Sequence, residues 1–572
     1  MCVASATAIS APHAYAQIDP PVLTPDRERI QPLTEAESDS VPTLLQSSAN
    51  NAPANADKIT LDFRGVVIEG EPTIVSERMI TDRFSTLVGR TVTVEDLFIA
   101  AQDIENFYRE QGYITSRVVV PAQKLDDGRF RIRVIEGFID DVSVSGDIGP
   151  VSKAVERLAE RLKEERPIAE AALQEFALLV SDLPGVEGQS ILRPAARAGA
   201  TGGSDLDYAA KRKKYDAFVA IDNRGSQVTG PWAIFAGASM NSMTRFAEQL
   251  SVTLYSTIDF NEQIVGQVSY SQLVGPPGMR AGASLSVGMT ETGEPLEIFG
   301  FESDSLAGSF FVEYPFIRTV NFSLWGDVTA SFTNATTYRG PLGIETEDRI
   351  QLFEDKTRKV SLGTRWRANF LRENDWSTTT SGNLRLSQGF DVLGATPDAT
   401  PETLFERSRV DGEATFTKVN AEVAVTQETP GPLKLFARVG GQWASSPLLA
   451  VEEFQLGGTR FARGYEPAQE TGDNAIGVTL EVQSSLKDQI DSLNVVGEAL
   501  NAADAYVFLD AGKVWNDDDT GDGSLTSAGI GIRTRWMDHA LVDLEAAFPL
   551  NEDVRFGRNS DVQFFMRVAF FR

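Results

Sequence analysis

The chain has 572 residues, 42% of them hydrophobic, and carries a formal net charge of −29. That charge excludes a partner held through phosphates, so no nucleic-acid ligand is expected, and the length is enough for several domains. No stretch approaches the roughly 18 consecutive apolar residues that a membrane helix needs. A membrane β-barrel survives this test, because its strands alternate apolar and polar residues and the two faces average out.

Cysteine occurs once, at Cys2, and histidine twice, at His13 and His539. Residues 1–16 are rich in Ala, Ser and Val, and Ala14-Tyr15-Ala16 resembles a small-x-small cleavage site, so they read as a signal peptide truncated at its basic end. Cleavage there leaves one histidine and no cysteine, which is little for catalysis or metal binding. Residues 17–58 are rich in Pro, Asp, Glu and Ser and read as a flexible linker. They have room for a plug helix, for example over 42–46.

From Ile59 the pattern changes to a compact α/β unit. Residues 61–69 read as a strand ending at Gly70. Thr93 is a good N-cap, with Glu95 and Asp96 suited to the helix dipole. Leu97, Ala100, Ala101, Ile104, Phe107 and Tyr108 then share one helical face until Gly112. Strands are predicted at 115–120 and 129–135. A second unit repeats the order, with a strand at 139–144, helices at 151–163 and 168–181, and strands at 188–192 and 204–214.

After Tyr215 only strands and turns remain, with about sixteen strand candidates, many near the 9–11 residues that cross a membrane. Residues 562–570 place Val562, Phe564, Met566, Val568 and Phe570 on one face, with Gln563 and Arg567 on the other. The stretches 433–442, 475–483, 526–536 and 542–548 alternate in the same way. A soluble sandwich would bury the apolar face and a barrel would turn it to lipid. Strand number and length favour the barrel.

Four segments resemble the TpsB transporters of two-partner secretion (the ShlB/FhaC/HecB type), in the Omp85 superfamily. The first is Gly112-Tyr113-Ile114-Thr115-Ser116-Arg117-Val118, continuing through Pro121-Ala122-Gln123 to Val134-Ile135-Glu136-Gly137, similar to the end of that family's first POTRA domain. The second is Asp222-Asn223-Arg224-Gly225-Ser226 with Thr229-Gly230, similar to the opening of its barrel. The third, Arg463-Gly464-Tyr465, is similar to the VRGY/F tip of loop six, with Ala462 in place of Val. The fourth, Phe508-Leu509-Asp510-Ala511-Gly512, resembles the F-x-D-x-G motif of strand thirteen.

The resemblance implies two periplasmic α+β POTRA domains (59–137 and 138–214) and a C-terminal 16-stranded antiparallel transmembrane β-barrel (215–572). It implies a monomeric pore in outer-membrane lipid that exports an unfolded TpsA-like exoprotein, of haemolysin or adhesin type, captured by the POTRA domains. It also implies that loop six folds into the lumen and that Arg463 pairs with Asp510. Alternation agrees, since Tyr506, Phe508, Asp510 and Gly512 share the inward face; Gly464 permits close approach and Gly512 leaves room opposite. Glu481, Asp543 and Glu545 are competing inward carboxylates, and the bland alternative is a surface Arg-Gly turn. One departure is 486–504, long for a periplasmic turn.

No cofactor or metal is expected. The acidic run 516–523 lacks the ligand spacing of an EF-hand and reads as a hairpin loop, and His539 reads as a turn residue. With no G-x-S-x-G elbow and one histidine in the mature chain, an outer-membrane enzyme is disfavoured. The alternative function is an Omp85-type factor that inserts other outer-membrane proteins; a passive porin would not need the N-terminal units.

Overall fold

Helix Val94–Glu110 illustrates how the N-terminal region is built. Thr93 Oγ1 accepts from Asp96 N at 3.1 Å while the Asp96 carboxylate accepts from Thr93 N at 2.9 Å, closing a capping box. The helix buries Leu97, Ala101, Ile104 and Tyr108 against Phe130 and Ile132 of the sheet beneath. The computed structural model describes residues 52–572, except 126, 198, 294–299, 340–348, 372–375, 398–399, 401–405, 493–498, 517–521, 538 and 552–561. The signal-peptide and plug-helix expectations, and most of the acidic 516–523 run, lie outside the described residues.

The first unit has one three-stranded sheet, ordered Gly65–Glu69, Arg129–Ile135, Arg117–Val119, with the first pair parallel and the second antiparallel. The single strand expected at 61–69 is instead two. Thr60–Asp62 pairs with Thr91–Thr93, and the chain breaks at the buried Phe63 before rejoining the main sheet at Gly65. Helix Glu77–Phe84, not placed from sequence, buries only Ile80 and Phe84. The strand expected at 115–120 shortens to Arg117–Val119, because the Gln123 side chain takes over beyond it. Its amide donates to Arg131 O and accepts from Arg131 N, both at 2.8 Å, standing in for a strand residue.

The second unit repeats the topology, with sheet order Phe138–Ser145, Gly203–Arg212, Val186–Pro194 under helices Ser152–Glu164 and Glu170–Ser181. It docks on the near end of the barrel. The Asp182 carboxylate accepts two bonds from Arg318, each 2.9 Å, and Ala247 and Leu273 join its apolar core.

Sixteen antiparallel strands then close a barrel. In chain order they are β1 (Tyr215–Asp222), β2 (Ala233–Asn241), β3 (Gln249–Thr257), β4 (Gln263–Leu273), β5 (Arg280–Glu291) and β6 (Phe301–Arg318). Next come β7 (Phe322–Arg339), β8 (Ile350–Leu371), β9 (Ser377–Gly389), β10 (Thr417–Glu428) and β11 (Leu433–Ala444). The last five are β12 (Asn474–Ser485), β13 (Leu500–Trp515), β14 (Gly523–Trp536), β15 (Ala540–Pro549) and β16 (Gln563–Phe571). Val507, Leu509, Ile530, Ile532, Leu544, Phe564 and Phe570 are exposed on the outside, while charged residues face the interior. That inversion of the soluble pattern is what lipid requires. The long 486–504 connection is accounted for in part by helix Lys487–Ser492 and by β13 starting at Leu500.

β1 and β16 close the barrel over only five residue pairs. Asn223 extends this seam with its side chain, donating to Phe564 O at 2.8 Å and accepting from Met566 N at 2.7 Å.

Candidate functional site in the barrel lumen

The connection between β11 and β12, residues 445–473, is the sixth loop at the far end of the barrel and folds back inside it. Its short strands Phe454–Leu456 and Glu470–Gly472 pair with each other. Between them a turn closes with Tyr465 N donating to Ala462 O at 3.1 Å, with Ala462 at a φ of 60°. This left-handed residue directs the next side chain, Arg463, at the wall of β12 and β13.

Arg463 is 6% exposed and Asp510 0%. Asp510 Oδ2 accepts from Arg463 Nε at 2.9 Å and from its backbone N at 3.0 Å; Oδ1 accepts from Nη2 at 3.1 Å. The guanidinium therefore forks onto one carboxylate, the geometry that distinguishes Arg from Lys. Its remaining nitrogen, Nη1, donates to Glu481 Oε2 at 2.8 Å and lies 3.5 Å from Glu545 Oε2. Its carbon stacks 3.6 Å from the centre of the Phe508 ring. The structure thus brings Arg463, Asp510 and Phe508 together, and it adds two of the three competing carboxylates as further partners.

Those carboxylates have their own cations. Glu481 accepts from Arg533 Nη1 at 2.7 Å, and Glu545 from Arg224 Nη2 at 2.9 Å. Tyr506 Oη lies 3.0 Å from an Asp543 oxygen and 2.9 Å from a Glu545 oxygen. Three arginines face four carboxylates, so the desolvated charges are nearly balanced. Asp510 differs from the others, since among the described residues its carboxylate accepts hydrogen bonds from Arg463 alone.

The flanking residues seat the loop. Gly464 N donates to Ser527 Oγ at 3.2 Å, and a Cβ on Gly464 would lie 2.8 Å from Ser527 Cβ. Tyr465 Oη accepts from Asn551 N at 3.0 Å and lies 3.1 Å from Thr526 O. Phe461 sits in a socket, where a Cβ at Gly477 would fall 2.5 Å from its ring. The space at Gly512, expected opposite Arg463, is filled by Leu456, whose Cδ1 would meet a Cβ there at 2.4 Å. Gly512 lies two residues beyond Asp510 on the inward face, under the loop's short strand rather than its tip.

Sequence reading did not place Arg224, Arg533 or Phe461 in this site. Arg533 is directly opposite Asp543 in the β14–β15 register. Alternation gives the face of each residue, but the pairing follows only from register. Arg224 belongs to the Asp222–Ser226 motif, but its partner Glu545 is 321 positions away.

The first signature folds the first unit. Glu136 accepts from Thr73 Oγ1 and N, Ile74 N and Tyr108 Oη, at 2.7–3.0 Å. Burial opposes its charge, but these bonds outweigh it and hold its carboxyl below the ordinary range. The same burial, with the bond to Glu136, raises the Tyr108 phenol. Gly137 N donates to Ser116 Oγ at 3.1 Å.

A sixteen-strand barrel with an apolar outside, a charged lumen crossed by an inward loop, and two α/β units at one mouth defines an outer-membrane pore of the POTRA-barrel class. The model for "Haemolysin secretion/activation protein ShlB/FhaC/HecB" matches residues 202–534, and that for "POTRA domain, ShlB-type" matches 61–137. Among curated relatives, the heme/hemopexin transporter protein HuxB of Haemophilus influenzae (strain 86-028NP) is 23% identical over 70% of this chain and 68% of its own length. The outer membrane transporter CdiB of Dickeya dadantii (strain 3937) is 20% identical over 82% of this chain and 80% of its own. Among solved structures, CdiB from Escherichia coli superimposes with a TM-score of 0.69 at 18% identity, over 93% of this chain and 94% of that one. BamA from Haemophilus ducreyi lacking POTRA domains 1–3 gives 0.51 at 13% identity, over 90% of this chain and 100% of that one.

The chain therefore belongs to the ShlB/FhaC/HecB family of haemolysin secretion/activation proteins. It is an outer-membrane transporter of two-partner secretion, with its POTRA domains in the periplasm.

Proposed function

We propose that the partner is an unfolded exoprotein of haemolysin or adhesin type, captured by the α/β units and threaded through the lumen past loop six. The observation that carries this reading is the loop itself, which crosses the pore and is held at its tip by Arg463 on Asp510. A pore occluded by its own loop needs that loop to shift before a chain can pass, so the pairing acts as a latch. Arg463, Gly464 and Tyr465 form the moving part, and Phe508, Asp510 and Gly512 belong to the fixed wall.

Capture is by strand addition, in which an extended chain pairs through backbone groups with an open sheet edge. The Gln123 amide occupies the backbone groups of Arg131 on one side of the first sheet. The nine-residue strand Val186–Pro194 offers a longer edge in the second sheet. We take 59–137 and 138–214 as the two capture units, and the pore as a monomer that performs no covalent chemistry and uses no metal or cofactor.

A photo-crosslinking residue placed at Gln189, and separately at lumen-facing Thr479, tests the route. A partner carrying a folded block at its C-terminus, stalled in transit, should crosslink at both sites. Crosslinking at neither, with the stalled partner present, would overturn the route.

A further inference from the structure

Loop six grips the barrel at a second place. Before Arg463, the single 3-10 turn Ala450–Glu452 buries Glu452 to 2% exposure. Its Oε1 accepts from Lys359 Nζ at 2.7 Å and Thr357 Oγ1 at 3.0 Å, both on β8. Its Oε2 lies 2.7 Å from Lys359 Nζ and 2.7 Å from Lys418 Nζ on β10. Lys418 Nζ also donates to the Glu452 carbonyl at 2.8 Å, and Gln442 Nε2 of β11 reaches that carbonyl at 3.2 Å. The next residue, Glu453, accepts from Arg409 of the β9–β10 loop at 2.7 Å.

The two grips have opposite polarity and hold neighbouring stretches of wall, and between them Arg460 Nε donates to Glu422 Oε2 of β10 at 2.6 Å. At the tip a loop cation meets carboxylates of β12, β13 and β15; at the base a loop anion meets ammonium groups of β8 and β10. We propose that Glu452 is a second positioning residue for export, anchoring the base of loop six so that the loop pivots within the lumen when Arg463 lets go. Eleven residues reach at most about 40 Å when fully extended, so an anchored base keeps the released tip tethered to the wall. Without the Glu452 carboxylate the released loop loses its ion pairs to β8 and β10 and moves further within the pore, while the Glu453–Arg409 and Arg460–Glu422 pairs remain.

This rests on loop six being the lumen latch, and the test separates the two ideas. Purified full-length wild type, E452Q, R463A and the double variant are compared in planar bilayers, with heat-modifiable migration on gels reporting barrel assembly. E452Q alone should change conductance little, because the tip still holds. In the R463A background it should raise the occupancy of the widest conducting state by on the order of tenfold or more, since breaking a buried ion pair is costly. E452D should largely restore the R463A level, and K359A with R463A, which leaves Lys418 on Glu452, should fall between R463A and the double variant and serves if the double variant fails to assemble. An R463A channel identical to wild type would sink the latch reading. An R463A channel that opens, but no further with E452Q or K359A, would sink the base anchor alone.

Discussion

Replacing Arg463 with Ala removes the guanidinium and leaves the backbone N–H. The Asp510 carboxylate then keeps one of the three hydrogen bonds it takes from Arg463, the 3.0 Å bond from the backbone, and loses the two from the side chain. Glu481 and Glu545 retain Arg533 and Arg224, so the uncompensated charge falls on Asp510, which is fully buried. Orphaning one partner of a buried pair costs about 3–5 kcal/mol, whereas the exposed pairs of this barrel are worth no more than about 1 kcal/mol each. The loop should therefore detach before the barrel unfolds. The assay is a double-mutant cycle of R463A, D510A and the pair, reading partner protein in the medium and proteolysis of loop six in assembled barrels. Each single variant should lose most export, and the pair should be well short of additive, with a coupling of about 2–3 kcal/mol in loop opening. Full additivity, or normal export by R463A at normal protein level, would refute the latch. Arg463→Lys should be intermediate, because one ammonium cannot form the fork.

Gly477→Ala drives a Cβ to 2.5 Å from the Phe461 ring; overpacking of this kind costs about 1–3 kcal/mol, and loop six should become protease-sensitive while the barrel migrates normally on gels. Asn223→Ala deletes two seam bonds, worth roughly 1 kcal/mol each, and should lower the temperature at which the barrel loses its compact gel mobility; no shift would mean that the seam does not depend on this side chain. Glu136 has a depressed carboxyl pKa in the fold, so its stabilisation is full above the ordinary value of 4.5 and fades as pH falls through the lower folded value. Glu136→Gln should therefore destabilise the first unit at neutral pH and converge on wild type in acid, measured by hydrogen exchange across 73–118; a constant difference down to the lowest pH would contradict the assignment.

Much of the barrel was legible because membrane strands obey a period of two that lipid enforces on one face. Val507 and Leu509 against Phe508 and Asp510 is enough to orient β13. Helix 94–110 was legible for a local reason as well, since its cap and its apolar face lie within the same segment. The breaks at Phe63 and at Gln123 were not: the first depends on pairing with the distant Thr91–Thr93, and the second on a side chain that imitates a strand residue, which no alternation pattern encodes. The lumen cluster was half legible: the motifs name Arg463 and Asp510, but Arg224, Arg533 and Glu452 enter through strand register and loop path, which no local pattern encodes. Gly512 shows the limit of face assignment, being inward as expected yet filled by Leu456 rather than by the tip of the loop.

The most direct test of the account is to delete this transporter in its host and measure the co-expressed large exoprotein in medium and periplasm, with outer-membrane barrels quantified in parallel. The account predicts that the exoprotein disappears from the medium while other barrels keep their normal levels. A general fall in outer-membrane barrels would contradict it in favour of an assembly factor, and an unchanged exoprotein in the medium would contradict dedicated secretion altogether.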